Sequence, residues 1–407
     1  MKSSTEKRTV AMVGCFDTKG EVFGYLYSCL LREGVEVLAM NTGVLGSTNL
    51  FPVAVEASQV AQAGGMALMA LRNHDDRGIA LDVMGRGAAK ILRQLAADNT
   101  LNAVIGMGGG GGTFVALAAM QTVPFGIPKL CLTTLATKDL SDKIGNKDIT
   151  LMPSIVDVAG LNRISRVLIA QAAGAISGMV RAEVENGQQR IGSIAMSVFG
   201  NTALCADRCT ELLKFRNYDV LSFHAVGTGG MTMEALIKEG LFGAVLDLTT
   251  TELADELCGG ICSAGPDRLT AAGAMGVPQV VAPGCLDMVN FGPLASVPEK
   301  YRNRQLFSWA PDVTLMRTNK EENRMLGEIM AKKLNEAKGP VKVLLPLGGL
   351  SKIGAKGELF YDPDTDQILF EALKSNLNQG IEIIEVPANI NTETFADQAV
   401  KALLSGL

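Results

Sequence analysis

The stretch Ala103-Val104-Ile105-Gly106-Met107-Gly108-Gly109-Gly110-Gly111-Gly112-Thr113 begins as an apolar run, passes through five consecutive glycines and opens into the helical pattern of Phe114 to Met120. Glycine gives up more backbone freedom on folding than any other residue, so a run of five needs a reason. A strand, a glycine loop and a helix supply one. Without Cβ atoms, the backbone amides at the start of a helix can close around an anion, and the helix dipole favours phosphate there. Thr113 adds a hydroxyl for a phosphate or for magnesium. The run is neither GxxxxGK[ST] nor a dinucleotide fingerprint, so the phosphate reading of Gly108, Gly109, Gly110, Gly111 and Gly112 rests on backbone chemistry, with a tight turn as the alternative.

Outward from this loop the chain alternates strand and helix. Val10 to Gly14 is apolar, Asp17 to Glu21 polar, Val22 to Arg32 helical and Val35 to Met40 apolar again, a unit that builds parallel sheets. The order returns at Ile194 to Val198, Gly200 to Thr202, Ala203 to Phe215 and Asp219 to Phe223. Phe16 matches Phe199 and Val37 matches Val220 without a gap; further on, Ala103 to Ile105 matches Ala244 to Leu246. The pattern predicts an α/β protein of two Rossmann-like doubly wound domains related by internal duplication, 1–185 and 186–407, divided at the polar break 182–189. The first half carries an extra segment, Ser47 to Lys90. In such sheets ligands bind at the carboxyl ends of the strands, and a cleft between the domains is the expected site.

Other strand-to-helix loops carry polar groups. In the first, Lys19 is placed to touch phosphate and Asp17 or Glu21 to hold magnesium; alternatively Thr18 and Glu21 form a capping box. Thr133 and Asp139 follow the next strand of that half. In the second half Gly227-Thr228-Gly229-Gly230 opens a helix and reads as a second anion turn, for a substrate carboxylate or phosphate, with Thr249 and Thr250 nearby. His224 is the general acid or base candidate, with Asp287 or Glu252 as partner; a structural histidine is the other reading. Arg317 and the segment Ser351 to Asp362 are candidates to close over the site.

Composition narrows the classes. The 407 residues are 47% hydrophobic and 19% charged, enough apolar mass for large cores. A formal net charge of -5 offers no broad footprint for nucleic acid. No secretion signal and no span of some 18 apolar residues is visible, which predicts a cytoplasmic protein without membrane contact. The eight cysteines include no CxxC pair and read as buried small hydrophobes, and two histidines make a histidine-rich zinc site improbable.

Phe16 to Glu21, Gly106 to Thr113, Ser154 to Arg163, His224 to Gly230, Asp247 to Glu252, Pro283 to Gly292 and Leu315 to Thr318 together resemble the tomato mosaic virus resistance protein-like ATP-binding family. That resemblance implies ATP, with magnesium, in the first domain and a homodimer as the assembly. Two departures stand out: Gly110 replaces a serine usual in the glycine loop, and Trp309-Ala310 stands where relatives carry His-Asn. The plant relative carries a further barrel-like domain, which makes a barrel-fold protein a candidate partner. The expected function is an enzyme coupling ATP to chemistry on a small anionic metabolite, a phosphotransferase or ligase; the alternative is an ATP-regulated binding protein without catalysis.

Overall fold

A computed structural model describes residues 8–74, 76–183 and 190–407, so the polar break lies, from residue 184 to 189, outside the described residues. The chain divides into two compact units, Met1–Glu185 and Asn186–Leu407. Among the described residues no helix is long and apolar enough to cross a membrane.

The first unit is built on five parallel strands, β1 (Thr9–Gly14), β2 (Glu36–Asn41), β3 (Ala103–Gly108), β4 (Lys129–Thr133) and β5 (Ile149–Pro153), in the order β2-β1-β3-β4-β5. β1 and β3 are apolar almost throughout because helices cover both faces of the sheet. On one face lie α1 (Phe16–Arg32) and α7 (Arg163–Arg181), whose Phe23, Leu26, Ile169 and Ile176 pack on Met12 and Ile105. On the other lie α4 (Arg77–Ala97) and α5 (Gly110–Met120), with α2 (Ala57–Ala63), packing Val60, Met84, Ala116 and Leu117 on Ala11 and Val104. The chain leaves β1 for β2, then crosses back to β3, so the loops after β1 and β3 diverge and leave a crevice at their carboxyl ends. The extra segment supplies α2 and α3 (Leu68–Asn73) and the first part of α4.

α5 starts four residues before the apolar pattern suggested, inside the glycine run. Helix propensity penalises glycine, but the first turn is fixed from outside. Gly106 lies against Ala116, Gly108 against Gly112, and the hydroxyls of Thr113 and Thr133 meet at 2.5 Å beneath the loop. Likewise Asp17 to Glu21 is not a free turn but the first turn of α1, kinked at Lys19.

The second unit has six parallel strands, β6 (Ser193–Val198), β7 (Asp219–His224), β8 (Ala244–Thr249), β9 (Gln279–Gly284), β13 (Val341–Pro346) and β14 (Glu382–Val386), in the order β14-β13-β9-β8-β6-β7. α8 (Ala203–Phe215) and α14 (Glu393–Leu404) cover one face. The other face carries α9 (Thr228–Lys238) with α11 (Ala271–Met275), and α10 (Thr251–Cys258) with α12 (Lys320–Asn335) and α13 (Pro363–Asn376). Between β9 and α12 the chain makes an antiparallel sheet, β10 (Met288–Phe291), β12 (Val313–Arg317) and β11 (Leu306–Ala310), which the sequence pattern did not announce.

The close approach of α5 to β3 gives a direct test. Gly106→Ala places a methyl 2.5 Å from the Ala116 Cβ and is expected to lower stability by about 1–3 kcal/mol. Urea unfolding checks this as a lower midpoint at unchanged slope.

Candidate functional site

At the crevice beyond β1 and β3 lies a cavity of about 510 Å³. Its floor is the start of α5. Gly109 is the N-cap, no side chain caps the helix, and the first amide that bonds back is that of Thr113, to the Gly109 carbonyl at 2.8 Å. The amides of Gly110, Gly111 and Gly112 precede it, and all three residues line the cavity. Helix starts leave such N–H groups without intrahelical acceptors, and here the dipole adds partial positive charge. A methyl built on Gly110 would meet no protein atom within 4 Å, whereas one on Gly111 would stand 3.1 Å from Arg77 and 3.2 Å from Leu81. One on Gly112 would meet the Met107 carbonyl, so that glycine is required by packing against β3 rather than by the cavity.

Several expected ligands have other duties. Thr113 and Thr133 are buried, and the Thr113 hydroxyl is engaged with Thr133 and the Gly108 carbonyl. The pair braces the loop from below and does not face a ligand. Asp17 does line the cavity, but its oxygens accept the amides of Thr18 and Leu45 at 2.7 and 2.8 Å. It therefore ties the loop after β1 to the loop after β2. Lys19 lines the cavity while its ammonium donates to the Val158 carbonyl at 2.6 Å. Thr18 also lines the cavity; Glu21 is exposed and does not, and no Thr18–Glu21 capping box forms because the N-cap is Cys15 and Thr18 already lies inside the helix. Asp139 is exposed and accepts from Ser141, which holds its carboxyl below its ordinary range at the start of α6 (Ser141–Ile144).

The cavity's strongest cations were not read from the sequence. Arg72 and Arg77 line it from the extra segment, beside Leu71, Leu81 and Met84. Arg72 donates to the Val44 carbonyl. Arg77 is the first residue of α4, behind the N-cap Asp76, whose carboxylate takes the amides of Gly78 and Ile79. The Asp76-Arg77 pair ahead of an apolar periodic run was the available signal.

The second unit answers its anion turn internally. The Glu252 carboxylate accepts the amides of Gly227 at 2.8 Å and Gly230 at 3.1 Å, and a methyl on Gly230 would overlap it. Gly229 is pressed against the His224 carbonyl, and Thr228 is exposed. Behind Glu252 lies Arg268, fully buried, which binds Glu252 at 2.5 Å, Asp247 at 2.6 and 2.7 Å through both ends of its fork, and Glu234 at 3.2 Å. Burial opposes the Arg268 cation, but the three carboxylates outweigh it and hold the guanidinium charged. With three acids on one base, burial raises the Glu252 carboxyl despite Arg268. Gly227 to Gly230 is thus a seat for the protein's own carboxylate, and Glu252 is structural.

The remaining expectations for this unit change accordingly. Thr249 and Thr250 are buried, their hydroxyls bonded to Thr202 and the Ala282 carbonyl. His224 is exposed at the end of edge strand β7 with its ring 5.4 Å from Phe199. Asp287 follows β9, three strands away across the sheet, roughly 14 Å at ordinary strand spacing. Asp287 is buried and bonded to Ser351 at 2.6 Å, and burial raises its carboxyl against the pull of Arg317. His224 and Asp287 therefore form no acid-base pair. Arg317 binds Asp366 at 2.6 Å and the Phe360 carbonyl, pinning the 351–362 segment inside the unit. Burial pushes the Cys285 thiol well up, against any role as a nucleophile.

Two parallel-sheet α/β units, one with an uncapped glycine amide cradle at its carboxyl edge, define a two-domain Rossmann-like protein. The chain belongs to the UPF0261 family. Residues 8–185 match the model described as Uncharacterised protein family (UPF0261) N-terminal domain, and 192–407 match the corresponding C-terminal domain. A UPF0261 protein of Clostridium tetani is 42% identical over 399 residues, 98% of either chain, and one of Rhizobium meliloti is 40% identical over 397 residues. The ToMV resistance protein Tm-1(GCR237) of Solanum lycopersicum is 36% identical over 337 residues, covering 81% of this chain and 45% of the tomato protein. The S. aureus MnaA-UDP co-structure covers 98% of the chain at 11% identity and a TM-score of 0.24, too remote to bear on ligand or mechanism.

The buried ion cluster is testable. Arg268→Met leaves Asp247, Glu252 and Glu234 without their cation and should destabilise the second unit by about 3–5 kcal/mol. Glu252→Gln keeps an oxygen for the glycine amides and should cost less. Equal unfolding midpoints for the parent and Arg268→Met would contradict the assignment.

Proposed function

We propose that the first unit binds ATP in the 510 Å³ cavity, with the phosphates on the amides of Gly110, Gly111 and Gly112. The observation that carries this reading is the helix start without a capping side chain, facing a cavity that also holds Arg72 and Arg77. Backbone N–H groups at a helix N-terminus with a guanidinium beside them match a polyphosphate in both geometry and sign. The volume falls within the roughly 300–1,000 Å³ of small-molecule sites. Leu71, Leu81, Met84 and Met107 offer an apolar wall for the base.

A nicotinamide reading is disfavoured at the end of β2, where a dinucleotide fold places its acidic ribose anchor. Asn41 stands there, buried, with its oxygen on the amides of Phe16 and Gly43. The two units are further inferred to be products of a duplication. Both sheets run second, first, third, fourth strand of the unit, and the loops Gly106 to Thr113 and Asp247 to Thr251 each follow the third. In this reading only the first copy keeps an open cradle. The second serves as scaffold and takes no anionic metabolite at Gly227 to Gly230.

Two variants separate binding from folding. Gly110→Ala meets no protein atom and improves helix propensity, so the fold should hold while the methyl obstructs the first amide. Gly111→Val fills the space between α5 and Arg77. Calorimetric titration with ATP is expected to show affinity at least about tenfold weaker for each, about 1.4 kcal/mol. Parental affinity in both variants would refute the site.

A further inference from the structure

We infer that the second unit holds a monovalent cation of the potassium class on side-chain oxygens of Asp287, Asn201 and Asn391, an inference independent of the nucleotide reading. In parallel α/β sheets ligands gather beyond the carboxyl ends of the strands, and at that edge of the second unit four loops are tied together. The carbonyl of Asn201, after β6, accepts the Lys352 amide at 2.9 Å and the Asn391 carboxamide at 2.8 Å, from the loops after β13 and β14. The Asn201 carboxamide nitrogen lies 3.8 Å from the sulfur of Met288, beyond β9, although β8 stands between β6 and β9 in the sheet. Asp287, the neighbour of Met288, accepts the Ser351 hydroxyl at 2.6 Å.

Three of these side chains keep an oxygen without a donor. The other carboxylate oxygen of Asp287 and the carboxamide oxygens of Asn201 and Asn391 are buried and have no hydrogen-bond partner among the described residues. Asp287 is 0% exposed and Asn201 1%, so bulk water does not reach them. Buried polar atoms are nearly always bonded, and three orphans in one knot of loops call for an occupant. All three are acceptors, so the occupant is a donor or a cation. Asp287 decides between them, because a buried carboxylate needs a counter-charge. The nearby guanidinium, Arg317, is committed to Asp366 at 2.6 Å and to the carbonyls of Phe360 and Asp362.

The loops are held in place around these oxygens. Cys285 turns the chain at φ 59°, where residues with a Cβ are rarely found, and its amide donates to the Leu350 carbonyl at 2.9 Å. A methyl on Gly354 would overlap the Asp287 oxygen that Ser351 binds. One carboxylate among neutral oxygens carries a single negative charge and matches a monovalent ion. Among the described residues no three His, Cys, Asp or Glu side chains cluster, so a zinc-type cage does not form. Magnesium gives up its water reluctantly, whereas a site this enclosed requires an ion that sheds it readily.

The test uses the full chain with the metal alone. Crystals grown in rubidium chloride, the heavy analogue of potassium, should show an anomalous peak beside the free oxygen of Asp287. In solution the thermal unfolding midpoint should be about 2–4 °C higher in potassium chloride than in tetramethylammonium chloride at equal ionic strength. Asp287→Asn removes the negative charge and should abolish that difference; Asn391→Ala, at a partly exposed residue, should reduce it and serves where the first variant does not fold. Absence of the anomalous peak overturns the proposal, and so does a potassium preference that survives undiminished in the variants.

Discussion

A helix begins with N–H groups that have no partner in the helix itself, and this chain answers many of them with its own side chains. Asp76 answers α4, Asn162 answers α7 and Glu252 answers α9. Glu234 takes the amides of Leu269, Thr270 and Ala271 ahead of α11, and Asn319, Asp362 and Thr392 serve α12, α13 and α14. α5, like α1, α3, α8 and α10, has no capping side chain; what sets its start apart is the run of glycines and the cavity with arginines that it faces.

The contrast between the units follows from charge as much as from shape. In the second unit the carboxylate on the glycine turn is held by a buried guanidinium that also binds two other acids. Dehydrating four ionisable groups is expensive, and the cluster persists because each carboxylate oxygen of Asp247, Glu252 and Glu234 has a donor. Breaking it would release the turn at the cost of the unit's stability. In the first unit Arg72 and Arg77 line the cavity from the extra segment, and the two carboxylates that line it as well, Asp17 and Asp76, are engaged by the amides of Thr18, Leu45, Gly78 and Ile79 rather than by those of the glycine run.

Much of the architecture was legible because apolar periodicity is a local property. The β1-α1-β2 and β6-α8-β7 units lie within a residue or two of their expected strand limits, and the α8 boundaries coincide with the apolar pattern. The start of α5 was misplaced because propensity discounts glycine, whereas contacts with β3 and Thr133 fix that turn. Gly227 to Gly230 looked like an open anion turn because its occupant, Glu252, comes from another helix 22 to 25 residues on. Sequence proximity to a strand end likewise suggested His224 with Asp287; sheet order puts two strands between theirs. Arg72 and Arg77 were overlooked for the opposite reason, since an insertion with no counterpart in the second half gave no pattern to compare.

The central claim is that one glycine amide cradle is open to a nucleotide while the other is filled by the protein's own Glu252. Glycine-selective 15N labelling of the full chain, with ATP titrated into the sample, tests it most directly. The account predicts that the amide resonances of Gly110, Gly111 and Gly112 move with nucleotide concentration while those of Gly227 and Gly230 stay in place. Shifts at Gly227 and Gly230, with Gly110 to Gly112 unmoved, would contradict it.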